Sequence, residues 1–331
     1  MYVDRAADGP PLAHALTALA RAAPGGGAWP GEPQLLADRA DGTVVRVGGA
    51  VAKAHAAGTD AAALAVRLRV AAAPELTGIL LPPLPPGLVT RLGDGRPATV
   101  WPYGVPVDPD APPAAPWEAA GTLLARLHAV PAGPLGGRLP GPLPAMRGPQ
   151  RAVAALERMR TATAGAAGLR HGAAREAVER VWAGLPAWCR GERTSEGHGA
   201  RGGAVALCHG DFHLGQLVRH PVPGGGWLLI DIDDLGVGDP LWDLARPAAW
   251  YAAGLLPPRS WERLLGAYQD TSGTRGDPWP RLDAPARALT AQSAALAVAK
   301  ASAADRALDE DEDALVASCN RIVQLRAGRE P

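Results

Sequence analysis

Lysine, asparagine, phenylalanine and isoleucine are almost missing from this chain. Its 331 residues include two lysines (Lys53 and Lys300), one asparagine (Asn320), one phenylalanine (Phe212) and four isoleucines, against an abundance of alanine, glycine, proline and arginine. A coding drift that replaces the scarce types wherever substitution is tolerated leaves them where replacement is resisted, and Phe212, Ile230 and Ile232 fall in one short window. Cysteine is scarce as well. Cys189, Cys208 and Cys319 lie far apart and are odd in number, which leaves no paired-cysteine metal spacing and argues against a secreted disulfide framework. Net charge is absent, because 33 basic residues cancel 33 acidic ones. No global positive field therefore draws nucleic acid or an anionic membrane, and a small ligand is the expected partner. Long apolar runs are lacking too: the alanine-rich segment 284–304 is interrupted by Arg287, Gln292 and Lys300 and reads as a packed helix, not a membrane span. The first residues include two acids and no continuous apolar stretch, unlike a signal peptide. The expectation is a cytoplasmic enzyme without nucleic-acid or membrane partners, long enough for two domains, its oligomeric state left open.

What is present concentrates in residues 207–233. Leu207-Cys208-His209-Gly210-Asp211-Phe212-His213-Leu214-Gly215-Gln216-Leu217-Val218 leads through a Gly-rich turn to Trp227-Leu228-Leu229-Ile230-Asp231-Ile232-Asp233. The order strand, acid-bearing loop, short strand, turn, strand, acid pair predicts a small hairpin with Asp211, Gln216, Asp231 and Asp233 at one edge. Clustered oxygen ligands of that kind suit a hard cation such as Mg²⁺. The chemistry indicated is phosphoryl transfer.

The remainder of the chain predicts an α+β architecture. Residues 1–33 hold a short helix (12–23) as an N-terminal extension. Strands are expected at 34–37, 43–47, 50–55, 87–92 and 97–101, with Gly48-Gly49 as a two-residue hairpin turn. A helix at 60–73 is capped by Thr59 or Asp60. These elements make a β-rich lobe over 34–101, followed by a proline-rich linker at 102–116. From 117 to 331 helices are expected at 117–130, 150–163, 173–189, 240–253, 259–269, 284–304 and 310–325, broken by the 207–233 hairpin. A small antiparallel β lobe, a linker and a larger, mainly helical lobe form a bilobal arrangement with a cleft.

His209-Gly210-Asp211, Ile230-Asp231-Ile232-Asp233 and the trailing Gly238-Asp239-Pro240-Leu241-Trp242-Asp243-Leu244-Ala245 together form a specific signature. Through it, residues 35–270 resemble the aminoglycoside phosphotransferase and choline-kinase-like small-molecule kinases, which have a protein-kinase-like fold. Gly121 to His128 is similar to the first helix of that family's large lobe, and the His-Leu-Gly-Gln ending of the loop is similar to maltokinases and actinobacterial sugar kinases. The resemblance implies an ATP- or GTP-dependent, Mg²⁺-dependent transfer of phosphate to a hydroxyl of a small polar acceptor, either an aminoglycoside-type antibiotic or a sugar or amino sugar. It implies Asp211 as the residue that orients the hydroxyl and accepts its proton. Gln216, where most of the family has Asn, and Asp231 are implied as Mg²⁺ ligands, with Asp233 as a further ligand or a supporting residue. Asp234 reads as a turn residue. His209 and Asp243 are expected to support the loop, Asp243 by accepting backbone N–H groups.

On the nucleotide side the resemblance implies Lys53, on the third strand, as the contact to the α- and β-phosphates. Its usual partner, a Glu on the following helix, is missing: residues 60–73 contain none, leaving Glu75, another acid, or no partner before nucleotide binds. The phosphate-covering loop is expected at 39–43 with Gly42 and Thr43. A purine hinge needs one C=O and one N–H two residues apart, and Pro102 falls between them, so the Trp101 carbonyl and the Tyr103 amide are the expected adenine contacts. The acids Asp305, Asp309, Glu310, Asp311, Glu312 and Asp313 suit a cationic acceptor, or else a solvated helix cap. Trp242, Trp250 and Trp261 suit sugar stacking or core packing. Two other readings stay open: a nucleotide-binding relative without catalysis, suggested by the missing Glu and the glycine-poor loop, and a metal-dependent hydrolase built on the alternating His209, Asp211 and His213.

Overall fold

The computed structural model describes residues 12–27, 29–39, 42–85, 87–111, 114–137, 139–165, 170–192 and 205–327. In chain order its elements are α1 (Leu12–Ala22), β1 (Gln34–Arg39), β2 (Gly42–Val47), β3 (Ala50–His55), α2 (Ala61–Ala71), β4 (Thr90–Arg91), β5 (Pro97–Pro102), β6 (Val105–Pro106), α3 (Trp117–His128), α4 (Ala132–Gly136), α5 (Gly148–Ala162), α6 (Gly172–Ala183), β7 (Ala206–Cys208), β8 (Leu217–His220), β9 (Gly226–Leu229), β10 (Gly236–Gly238), α7 (Leu241–Ala252), α8 (Pro258–Ser272), α9 (Trp279–Ala303) and α10 (Glu310–Ala327). The chain is an α+β protein with a five-stranded antiparallel sheet, ordered β1-β2-β3-β5-β4. It divides into two compact units: Met1–Pro116 with Val130–Pro144 and Leu214–Asp233, and Trp117–Ala129 with Ala145–His213 and Asp234–Pro331.

The first unit contains the sheet. Apolar residues alternating along β2 and β3 send Val45, Val47, Ala50, Ala52 and Ala54 to one face, where Leu16 and Ala20 of α1 close a buried core. Residues 12–22, expected as an extension, are therefore part of this core. The side chain of Asp60 caps α2 by accepting from the amides of Ala62 and Ala63 at 2.9 and 3.1 Å.

The expected hairpin of 207–233 is split. β8 pairs with β9, and β6 joins the outer edge of β8 to give a three-stranded sheet in the first unit. Leu81 and Leu229 add backbone bonds at the edge of β9. β7 instead pairs with β10 in the second unit. Residues 214–233, expected within the helical lobe, thus pack with the β-rich unit.

In the second unit α3 lies along α8, with Gly121 pressed against the Leu264 carbonyl and 2.9 Å, measured to a notional Cβ, from the Tyr268 amide nitrogen. α9 packs against α5, α6, α7 and α10. Its small buried residues, among them Ala288, Ala291, Ala294, Ala295 and Ala301, allow those helices to approach closely.

Candidate functional sites in the two units

In the β-rich unit, two pairs of side chains spaced two residues apart meet. Side chains at i and i+2 of a strand share a face, so Lys53 and His55 leave β3 on the same side. Lys53 Nζ lies 2.7 Å from Asp231 Oδ1 and 3.1 Å from Asp233 Oδ2. His55 Nδ1 lies 2.9 and 3.0 Å from the two oxygens of Asp233. Burial alone would lower the affinity of Lys53 for its proton, but the charges of Asp231 and Asp233 outweigh it and hold the ammonium form well above the usual lysine range. Burial of Asp233 works toward the neutral acid; Lys53 and then His55 overcome it, and the carboxyl titrates below its ordinary range. Asp231 adopts a left-handed backbone, φ 64°, that aspartate tolerates better than most residues. Its Oδ1 also faces the Asp233 amide at 3.4 Å.

This network extends along the sheet. His55 Nε2 meets the Thr99 hydroxyl at 2.8 Å, and the same oxygen accepts from the Trp101 indole at 2.9 Å. Gln216 ends a short 3₁₀ turn, and its carbonyl accepts from the Ile230 amide at 2.9 Å, next to Asp231 in sequence. Gly42 opens β2 against Lys53, whose Cε is 3.7 Å from where a Cβ would stand. Thr43 is buried and donates to Asp38 at 2.9 Å; residues 40 and 41 of the expected phosphate loop lie outside the described residues. The Tyr103 amide corrects the hinge expectation. It donates to the Gly49 carbonyl at 2.8 Å as β5 continues beside β3, so it is already used in the sheet edge. The Tyr103 carbonyl accepts from His220 at 3.0 Å, and the Arg46 guanidinium covers its ring at 3.4 Å.

In the helical unit the acid-bearing loop hangs from Asp243. This fully buried carboxylate accepts the amides of His209 at 2.6 Å and Gly210 at 2.8 Å, and His128 Nε2 donates to it at 3.0 Å. Burial alone would raise its pKa; the hydrogen bond and charge of His128, the charge of His209 and the Gly210 amide lower it below the ordinary aspartate range. His128 Nδ1 in turn meets the Tyr268 hydroxyl at 2.9 Å, and burial pushes that phenol up to about 12. Gly210 has φ 87°, and a side chain there would collide with the Asp234 carbonyl. His209 is buried edge-on to Phe212.

The loop presents Asp211 between arginines. Arg246 of α7 bonds Oδ1, and Arg151 of α5 stands 3.4 Å from Oδ2. Arg151 also holds Asp234 at 2.7 Å, with Arg147 at 3.5 Å. Asp234, expected as a plain turn residue, is a buried ion-pair centre. Arg151, Arg246, His55 and Thr99 carry no role in the expectations drawn from the sequence. Arg246, directly after the trailing motif, and His55, two residues beyond Lys53, carried positional signals that could have marked them.

Three of the C-terminal acids, Asp305, Asp309 and Glu312, are used locally, and Glu310, Asp311 and Asp313 are exposed. Asp309 and Glu312 form a reciprocal helix cap, with bonds of 2.9 and 3.1 Å. Arg306 holds Glu312 at 2.6 Å and lowers its pKa to about 2, while exposed Asp305 faces Arg170 at 3.8 Å. Trp242 and Trp261 are buried, and Trp261 stacks on Tyr251. Among the described residues, His128, Cys208 and Asp243 are the group of metal-ligand type whose atoms converge, and residues 209, 211 and 213 do not form one. Asp243 is committed to the loop amides and burial keeps the Cys208 thiol protonated, so this group reads as a hydrogen-bonded core. No described helix is long and apolar enough to cross a membrane.

The profile of the phosphotransferase enzyme family matches residues 34–285. No curated protein sequence matches the chain. Among solved structures, spectinomycin phosphotransferase in complex with ADP and spectinomycin superposes with a TM-score of 0.56 at 11% identity, covering 98% of this chain and 96% of that one. An amicoumacin kinase in complex with AMP-PNP, Ca²⁺ and Ami gives 0.56 at 14% identity, with 90% and 89% covered. A choline/ethanolamine kinase family protein from Mesorhizobium loti gives 0.51 at 17% identity, with 92% and 98% covered. The fold is that of these kinases, and the family match spans both the Lys53–Asp231 cluster and the Asp211 loop. The chain belongs to the phosphotransferase enzyme family.

Proposed function

We propose that this protein transfers the terminal phosphate of ATP, or of GTP, to a hydroxyl of a small polar acceptor, with Mg²⁺ as its metal. The observation that carries the reading is the Lys53 ammonium seated between Asp231 and Asp233. Two carboxylates that already hold a cation at hydrogen-bond distance, with the amide-bearing Gln216 tied to Ile230, are an oxygen donor set suited to a hard divalent ion. Asp231 and Gln216 would hold the metal, with Asp233 as a further ligand or as support. A metal held by these residues would supply charge neutralisation at the transferring phosphate.

Lys53 is assigned to the nucleotide phosphates once its ion pairs are exchanged for them. Gly42 and Thr43 line the entrance to β2, and the Trp101 carbonyl, paired with Val51 in the sheet, would accept from adenine through its second lone pair. Nucleotides in the spectinomycin and amicoumacin kinases support ATP as the donor. Asp211 orients the acceptor hydroxyl and takes its proton, while Asp243 and His209 fix the loop that carries it.

The test is a pair of variants. Asp211→Asn should leave nucleotide affinity near wild type and lower turnover by roughly 10² or more. Asp231→Ala should remove the thermal stabilisation given by Mg-ATP. Retained turnover in the first, or unchanged stabilisation in the second, overturns the assignment.

A further inference from the structure

The surroundings of Asp211 are cationic. Arg246 engages one oxygen and Arg151 the other at 3.4 Å, while Arg151 and Arg147 share Asp234 at 2.7 and 3.5 Å. Three guanidiniums thus face two carboxylates. Nε of Arg246 is buried and has no hydrogen-bond partner among the described residues. The fifteen-residue helix α5 begins here at Arg147 without a side-chain cap, and its Gly148 lies beside the Gly210 carbonyl, 3.4 Å from a notional Cβ. A helix start adds positive potential to that of the arginines. Arg147 is half exposed and Arg151 one-third exposed, so both can be reached by a solute.

Of the C-terminal acids, three are engaged by neighbouring groups, while Glu310, Asp311 and Asp313 lie exposed on the first turn of α10. Asp309 and Glu312 cap each other, Arg306 and Lys300 hold Glu312, and Asp305 faces Arg170. A polyammonium compound brought to Asp211 would meet like charge. Each oxygen of Asp211 faces an arginine, and each keeps a further lone pair for the acceptor hydroxyl. An anion on the acceptor competes for Arg151, whose 3.4 Å contact leaves the most room for exchange.

Resting on the phosphotransfer reading above, we propose that the acceptor is a hydroxyl compound bearing an anionic group, a carboxylate or a phosphate ester, received by Arg147 and Arg151 beside Asp211. In the step itself the acceptor hydroxyl gives its proton to Asp211, and its oxygen forms the new bond to the terminal phosphorus. The bond from that phosphorus to the β–γ bridging oxygen breaks, and its electron pair leaves with ADP.

The experiment compares kcat/KM, by ADP release, for a neutral hexose, its amino sugar, its uronic acid and its phosphate monoester, in wild type and in Arg147→Gln. One anionic compound should exceed both the neutral and amino forms by at least tenfold, and its identity separates carboxylate from phosphate recognition. Arg147→Gln, at a half-exposed position, should reduce that preference at least threefold through KM. Faster turnover of the neutral or amino compound, an unchanged preference in Arg147→Gln, or no accepted anion while Mg-ATP still stabilises the protein overturns this inference alone. Loss of Mg-ATP stabilisation in the wild type overturns the phosphotransfer reading instead.

Discussion

Asp243→Asn tests whether one buried carboxylate supports the Asp211 loop. The substitution keeps the shape but replaces one oxygen with an NH₂ group, in a site where three donors converge: the amides of His209 and Gly210 and Nε2 of His128. At least one donor then faces another donor. Losing a charge-assisted bond costs about 1.5–3 kcal/mol, and leaving a buried donor unsatisfied about 1–3 kcal/mol, so a total of about 3–5 kcal/mol is expected. At about 2–4 °C per kcal/mol for a unit of this size, Tm should fall by roughly 10 °C. Because the same amides hold the residues just before Asp211, turnover of folded protein should also fall, on the order of 10²-fold for a misplacement near 1 Å.

The pH dependence provides a second readout. The folded-state pKa of Asp243 is depressed, so its contribution is fully present above the unfolded value and is lost as pH falls through the lower folded value. Wild-type stability should therefore decline on acidification below about pH 4, and the Asn variant should decline less steeply. Circular dichroism melts across that range measure both effects. A variant melting within ~2 °C of wild type with the same acid profile would refute the reasoning, since that is below the cost of even one such bond.

Two further outcomes follow from close geometry. Gly121→Ala places a methyl group against the Leu264 carbonyl and 2.9 Å from the Tyr268 amide nitrogen, so α3 and α8 must separate; an overpacking cost of about 1–3 kcal/mol should appear as a lower urea midpoint with an unchanged m value, and an unchanged midpoint counts against the helix contact. Lys53→Met leaves Asp231 and Asp233 without their ammonium, so millimolar Mg²⁺ without nucleotide should raise its Tm more than that of wild type, whereas an equal response in both would show that the two carboxylates do not compete for a cation.

Much of the fold was legible because its signals are local. Alternation in β2 and β3, the Gly48-Gly49 turn and the cap at Asp60 each lie within a few residues of the element they define. The division of residues 207–233 between two sheets was not legible. It depends on β6 and β10, strands of two and three residues made largely of proline and glycine, with no periodicity to read. Whether β7 joins β8 or β10 is settled by those distant partners. The acid motif stood out by type and spacing, and Lys53 by scarcity. Arg151 and Arg246 were hidden for the converse reason: in an arginine-rich chain no single arginine is conspicuous, and only the packing of α5 and α7 shows which two reach Asp211. Tyr103 failed as a donor because a hinge and a sheet edge look alike in sequence, while the amide can serve only one of them.

The missing glutamate on α2 has a physical answer within the β-rich unit. A lysine with a side chain only 16% exposed needs a counter-charge, since burying an unpaired ammonium is costly. Two carboxylates supply it, and His55 steadies one of them from the same face of the strand. With that demand met by residues 231 and 233, nothing in the charge balance of Lys53 requires an acid on α2, where Arg67 and Arg69 stand instead. The absence of the helix glutamate is therefore weak evidence for a chain that has lost its chemistry. The lysine's counter-charge comes from residues 231 and 233, so removing either carboxylate, not altering α2, is what would leave the ammonium short of a partner.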